Sequence, residues 1–318
     1  MAFLQGTTTD IIDLVGQLVT WLAGLGWTVN MVPTVNGNAG GKRAHLSKGA
    51  VYVNLQTAIG DGDLVPDYAV IGCNGLFLYL SDSYDAAQSY LTQPGGPHDV
   101  RPMRAMVAVS TLNFPTPYGR FFAFSDASDN VVVVLERRSL NFSAFGWGPA
   151  LAKAGAWSDG RYFFAQTYRT GIQTDDATPN VFGDCPFSVN GLPTGFVRAD
   201  VDAFVSKWLG CALSAQNVTG KICYTGFGAA GPPTDVPDWA VGYARLAPSL
   251  LNSQAVLVPV DIYAARDAGG SSLLGSVPNV FLTNAVGHGF GPAGTFSIGA
   301  DNYVLFPGYG YGYAIKKV

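Results

Sequence analysis

Glutamate is almost missing: Glu136 is the only one in 318 residues, and seven lysines accompany eleven arginines. Charged residues make up 13% of the chain, about half the roughly 25% usual for soluble domains. Without Lys and Glu, exposed helices lose their usual filler, so a low helix content is expected. Scarce Lys and Glu beside plentiful Tyr, Phe, Trp and Arg is also the bias of surface that ends inside protein interfaces. A net charge of −4 provides no broad basic field, and the short pairs Lys42-Arg43, Arg137-Arg138 and Lys316-Lys317 do not create one, so no nucleic-acid partner is expected. No run approaches the roughly eighteen apolar residues a membrane span requires, so no membrane partner is expected either. The first ten residues lack a basic segment and an apolar segment, which points to synthesis in the cytoplasm.

The usual signatures of chemistry are absent as well. The four cysteines, Cys73, Cys185, Cys211 and Cys223, form no CxxC pair, which excludes the common zinc sites and a small disulfide framework. They read as buried thiols, although Cys211 and Cys223 are close enough to meet across a hairpin-like segment. The three histidines, His45, His98 and His288, stand apart from any second ligand and read as satisfied polar or surface contacts. A GxGxxG turn, a Walker-type loop and a GxSxG elbow are all missing. Asp61, Asp63 and Asp67 fall in one loop, and Asp126 and Asp129 in another. Pro66 occupies the position where a calcium loop counted from Asp61 needs glycine, so turn chemistry explains these acids best. A glycan hydrolase using Asp61 and Asp63 is the weakest alternative. The sequons at Asn141 and Asn217 matter only on a secretory route. No enzyme activity, cofactor or metal is expected.

What is present is sheet. One amphipathic helix is predicted over residues 9–25, with Ile12, Val15, Leu18, Val19, Leu22 and Leu25 at helical spacing, Thr9 or Asp10 as cap and Gly26 as terminator. Strands are expected at residues 27–29, 45–47, 51–55, 103–111, 120–124, 131–136, 141–145 and 255–265, and as a pair within 296–306 turning at residues 300–302. The apolar run 68–80 predicts two buried strands turning at Asn74-Gly75. Short helices are predicted over 83–91 and 199–211. Pro94-Gly95-Gly96-Pro97 marks a turn and a candidate boundary, and the Gly/Pro-rich stretches 171–195 and 226–237 read as long loops. The chain therefore divides into an N-terminal α+β domain (1–170), a loop-rich insertion with a short helix (171–250), and a C-terminal β segment completing the sheet core (251–318). The fold class is α+β, predominantly antiparallel β, with an N-terminal helix and long Gly/Pro-rich loops.

Several of these pieces occur in a combination that resembles an uncharacterised family of virion structural proteins of tailed bacteriophages. The matching residues are Gly26-Trp27 after the helix, Phe121 to Phe124, Val131 to Glu136, Phe145-Gly146-Trp147-Gly148, and Gly155-Ala156-Trp157-Ser158-Asp159-Gly160. A second region adds Pro259-Val260-Asp261-Ile262-Tyr263, Arg266, Leu274 to Pro278, and Ile298 to Pro307. Asp159 stands where that family usually has glycine. The resemblance spans most of the chain outside 171–250 and implies a multi-copy, ring-like element of the tail or baseplate, or of the neck that joins head and tail. Its location would be the virion, and its partners would be copies of itself and other tail or baseplate proteins. Trp147, Trp157, Arg137, Arg138, Tyr309, Tyr311 and Tyr313 are the interface candidates. A host-recognition module stacking glycan on its aromatic loops is the alternative from another class.

Overall fold

A computed structural model describes residues 1–32, 42–58, 73–97, 105–111, 119–138, 141–165, 195–200, 207–211, 222–225, 257–265, 271–283, 293–307 and 312–317. Strand β1 (Ala2–Thr7) leads into helix α1 (Ile11–Gly24), followed by β2 (Thr28–Met31), β3 (Arg43–Lys48), β4 (Val51–Ala58), β5 (Cys73–Ser81) and β6 (Ala105–Thr111). The middle of the chain supplies β7 (Arg120–Ser125), β8 (Val131–Arg138), β9 (Asn141–Gly148), β10 (Ala152–Lys153) and β11 (Asp159–Ala165). Then come β12 (Gly195–Ala199), β13 (Lys207–Cys211), β14 (Ile222–Thr225), β15 (Leu257–Ala265), β16 (Ser271–Thr283), β17 (Thr295–Ile298), β18 (Asp301–Pro307) and β19 (Gly312–Lys316). The fold is mostly antiparallel β with one helix near the N-terminus, as its sequence predicts.

Two sheets form. The smaller runs β2-β3-β4-β5-β6, and the larger runs β1-β7-β8-β9-β11-β12-β13-β14-β15-β16-β19-β18-β17, with β10 beside β16. Among the described pairings only β13 with β14 is parallel. Its register sets Cys211 beside Cys223, so these two meet on parallel neighbours and not across a hairpin.

The middle of the larger sheet is buried on both faces. Phe121, Ala123, Val131, Val133, Leu135, Phe145, Trp147 and Phe163 join α1 and the smaller sheet in one core. Their neighbours Phe122, Phe124, Val132, Val134, Phe142, Tyr162 and Phe164 join Val260, Ile262, Val304, Phe306, Tyr313 and Ile315 in the other. The large sheet thus folds its C-terminal strands back over its own centre, giving three layers. This is why residues 121–124 of β7, 131–135 of β8 and 162–165 of β11 are aromatic or aliphatic without a break: with both faces covered, no alternate position needs to be polar.

Helix α1 buries Ile11, Leu14, Val15, Leu18 and Leu22. Asp10 caps it, its Oδ1 accepting from Asp13 N at 2.8 Å, while Asp13 reaches back to accept from Thr8 Oγ1 at 2.9 Å and Thr9 N at 3.2 Å. The acid at the third helical position thus completes the reciprocal cap. Gly26 takes the left-handed conformation, φ 84°, that ends the helix.

Three local expectations are corrected. Asn74-Gly75 is no hairpin turn: β5 runs straight through it between β4 and β6, and the register against β6 shifts there as a bulge. Residues 83–91 form no α-helix; the segment from Asp82 to Pro94 is a compact loop closed by Asp82 N donating to Pro94 O at 2.8 Å, with only a 3-10 turn at Tyr90–Thr92. Buried Gln93 organises it, accepting from Asp85 N at 2.7 Å and donating to Asp85 O at 3.0 Å. Of the helix expected over 199–211, Ala199 ends β12 and Lys207–Cys211 form β13, paired antiparallel with it, while residues 201–206 lie outside the described residues. The loops expected at 171–194 and 226–237 lie outside the described residues.

Candidate functional site

Among the described residues, the densest group of charged side chains lies where the two sheets meet. β11 contributes Asp159 and Arg161, β12 contributes Arg198, and the loop after β5 contributes Asp82. Arg161 Nη2 lies 2.8 Å from Asp82 Oδ1 and 2.8 Å from Asp159 Oδ2. Arg198 donates through Nη1 to Asp82 and places Nε 3.4 Å from Asp159 Oδ2. Two acids and two guanidiniums therefore make a neutral quartet.

Backbone and aromatic contacts extend this quartet. Arg161 Nη1 donates to Ser81 O at 3.3 Å, Arg198 Nη1 to Gly95 O at 3.2 Å, and Trp208 Nε1 to the same Gly95 carbonyl at 2.9 Å. Arg198 also lies over the Trp208 ring, 5.7 Å from its centroid. The turn 94–97, expected as a boundary, is instead a docking point between layers. Burial pushes the Asp159 carboxyl upward, but its bonds from Arg161 and the charges of Arg161 and Arg198 outweigh that and hold it below the ordinary range. The same pairing raises Arg161 against the opposing effect of burial. A carboxylate saturated in this way is a poor general base, and the quartet acts as a mechanical tie.

A second tie joins the β7–β8 turn to the C-terminal layer. Asp126 Oδ1 accepts from Ser128 N and Asn130 N, both at 2.9 Å. Its Oδ2 accepts from Asn130 Nδ2 at 2.8 Å and Asn279 Nδ2 at 2.7 Å. Asn279 can reach because β16 bulges between Ser276 and Phe281, where three extra residues are accommodated around Val260 and Asn279 adopts φ 63°. Pro278 sits in this bulge, where a missing backbone donor is tolerated. Beside the turn is an open cleft of about 210 Å³ whose wall includes Lys48, Asp126 and Asp129. Lys48 pairs with Asp129 at 2.7 Å and donates to Leu25 O at 2.8 Å, so the acids and the lysine of this cleft are already engaged. Among the described residues no group of His, Cys, Asp and Glu is arranged to hold a metal ion.

The interface candidates separate. Trp147 and Tyr313 are buried at 0% and 1% exposure, one in each core, and so present no surface to another chain. Among the described residues, the aromatic side chains of these runs fill the two cores. Trp157 is half-buried, donates Nε1 to Leu274 O at 3.0 Å and carries Lys153 over its ring at 4.9 Å. It ties β16 to the turn before β11. Arg137 and Arg138 end β8, and their side chains lie outside the described set, as do Tyr309 and Tyr311.

His45 makes the satisfied polar contact expected of it, with Nδ1 2.6 Å from Asn54 Oδ1. Asp61, Asp63, Asp67, His98, His288 and Asn217 lie outside the described residues. The quartet itself escapes sequence reasoning because Asp82 and Arg198 are 116 residues apart. Its only local signal is Asp159-Gly160-Arg161, an acid and a base spaced to meet around a left-handed turn. No helix among the described residues is long and apolar enough to cross a membrane. No known family model matches the chain, and no curated protein is significantly similar to it.

Proposed function

We propose that the chain is a structural building block of a tailed-phage virion, present in many copies and assembled on itself and on neighbouring tail or baseplate proteins. The observation that carries it is the convergence of the motifs behind the resemblance. Trp27 of the Gly26-Trp27 step stands edge-on to Trp147 of the Phe-Gly-Trp-Gly step, with centroids 6.1 Å apart and planes at 85°. Asp261 and Ile262 pair with Ser276 and Gly275, bringing the two C-terminal motifs side by side. Motifs that exist to pack against each other specify a shape, and shape is what an assembly subunit supplies.

The sheet margins add support. The larger sheet ends at β17, where Ile298 is 49% exposed, and the smaller ends at β2, where Val29 and Met31 are exposed beside Val32. Exposed apolar side chains on the outermost strands of the described sheets invite another chain, and ordered assembly is one way that liability is managed. Quantitative mass spectrometry of purified particles tests the proposal: the chain should occur in stoichiometric, multi-copy amounts, with matching density in the intact particle. A trace or absent chain in infectious particles would overturn it.

A further inference from the structure

His45 lies on β3 under the loop formed by residues 82–94, and it is 2% exposed. Its ring meets two tyrosines of that loop, Tyr84 with centroids 5.0 Å apart and Tyr90 at 6.1 Å. Tyr90 in turn crosses Tyr79 of β5 edge to face at 5.2 Å, its hydroxyl donates to Phe77 O at 3.1 Å, and Tyr79 donates to Tyr90 O. Tyr84 extends over the edge of the sheet to Met31, with its hydroxyl 3.2 Å from Sδ. The loop is therefore held against the sheet largely through rings that surround one imidazole.

The tautomer follows from the network. Asn54 Nδ2 donates to Ser81 Oγ at 3.0 Å, which leaves Asn54 Oδ1 as the acceptor facing His45 Nδ1. Nδ1 carries the hydrogen, so an added proton must go to Nε2, on the side away from Asn54. Charge reaches this pocket from Arg43, two residues earlier on the same face of β3, whose guanidinium lies over Tyr90 at 5.6 Å. Tyr84 and Tyr90 are the titratable groups that face the ring from the loop, with Tyr79 of β5 behind Tyr90, and among the described residues no carboxylate forms an ion pair with it. Burial disfavours the charged ring, the Asn54 bond works the other way, and Arg43 adds to burial; the balance leaves His45 below the ordinary histidine value.

We propose that His45 is an acid-sensitive release for the 82–94 loop. In the closed state the neutral imidazole fills the space between Tyr84, Tyr90 and Asn54. An opened loop exposes the ring to water, where it takes up a proton that the closed state resists. Below about pH 6.5, the ordinary histidine value, protonation therefore favours the open state. Opening uncovers the Tyr79 side of the smaller sheet and loosens the loop base, where Asp82 and Gly95 meet Arg161 and Arg198.

Amide hydrogen exchange of the full chain, corrected for intrinsic rates, reads this directly. Protection of residues 84–93 should fall about threefold or more between about pH 7 and pH 5 in the wild type, and should be insensitive to pH in His45→Gln. No change in the wild type, or the same change in both proteins, overturns the proposal. Should His45→Gln fail to fold, Arg43→Gln serves instead. Removing the neighbouring cation lets the closed state accept the proton more readily, so the pH response of the loop should shrink. An unchanged response in that variant overturns the proposal equally.

Discussion

Asp159 and Arg161 grip each other across a single glycine: the carboxylate accepts from Nε at 2.9 Å and from Nη2 at 2.8 Å. Asp159 does this from a left-handed backbone, φ 61°, at the position where glycine would be expected from the resemblance. The carboxylate thus compensates for a conformation that costs most side chains about 1–3 kcal/mol. Asp159→Ala should destabilise by about 2–4 kcal/mol, since it keeps the strain and leaves two arginines short of a partner. Asp159→Asn should cost about 1–2 kcal/mol, because Asn tolerates this backbone and keeps one acceptor. Asp159→Gly relieves the strain but loses the carboxylate, and should fall between them. Urea unfolding gives the ranking; a glycine variant as stable as wild type would show that the carboxylate does no more than offset the backbone strain.

Acid should loosen the same junction. The folded-state value of Asp159 is lowered, so its contribution is fully present above the ordinary carboxyl range near 3.9 and disappears as pH falls through the folded value. Stability measured between about pH 5 and pH 2.5 should therefore decline less steeply in Asp159→Asn than in wild type. Parallel curves would contradict the linkage.

Close packing of the central sheet makes a sharper demand on Gly146. A Cβ there would stand 2.5 Å from Val131 O and 2.9 Å from the Phe164 ring, with backbone on one side and a buried aromatic on the other. Gly146→Ala should lower stability by about 1–3 kcal/mol or more. Gly155→Ala, where nothing lies within 4 Å of the added carbon, should stay within about 0.5 kcal/mol of wild type. Thermal unfolding of the two variants side by side checks the contrast.

The two tryptophans of the aromatic stretch should behave differently. Trp147→Ala empties a fully buried site and should cost about 3–5 kcal/mol. Trp157→Ala loses one hydrogen bond and a lysine contact and should cost about 1–2 kcal/mol. Equal losses in chemical denaturation would mean that Trp157 is more deeply integrated than its partial exposure indicates.

Much of the sheet is legible in the sequence, because β-branched and aromatic runs punctuated by Asp126–Asn130 have few other solutions; the C-terminal pair turns at residues 299–300 and not at the expected 300–302, so Asp301 and Asn302 open β18. The helix was equally plain, with its cap and its terminating glycine each in place. Two of the three misreadings share a cause, local chemistry overridden by neighbours distant in sequence, while the third turns on a nearby side chain. Asn74-Gly75 has turn chemistry, yet β4 and β6 pair on either side and hold it extended. Residues 199–211 have helical spacing, but Phe196 and Trp208 find their place against Phe163 of β11. Residues 83–91 become a loop because one buried glutamine, Gln93, satisfies its carbonyls. The charged quartet was invisible for the same reason, since half of it arrives from across the chain. The aromatic stretch 121–165 was noticed for its composition, but the reason for that composition, a sheet covered twice, needed both covering layers.

That double covering also imposes a timetable on synthesis. When the ribosome has made β11, the chain already owns most of its first core, because α1 and the smaller sheet precede it and only Phe196 and Trp208 are still to come. The opposite face, with Phe122, Phe124, Val132, Val134, Tyr162 and Phe164, must wait for strands between Leu257 and Lys316. At about 5–20 residues per second, the nascent protein spends several seconds or more with one oily side of a finished sheet turned to the cytosol. Premature termination anywhere before β15 would leave that side permanently bare, so truncated products should be captured by chaperones or precipitate even though their N-terminal half is complete.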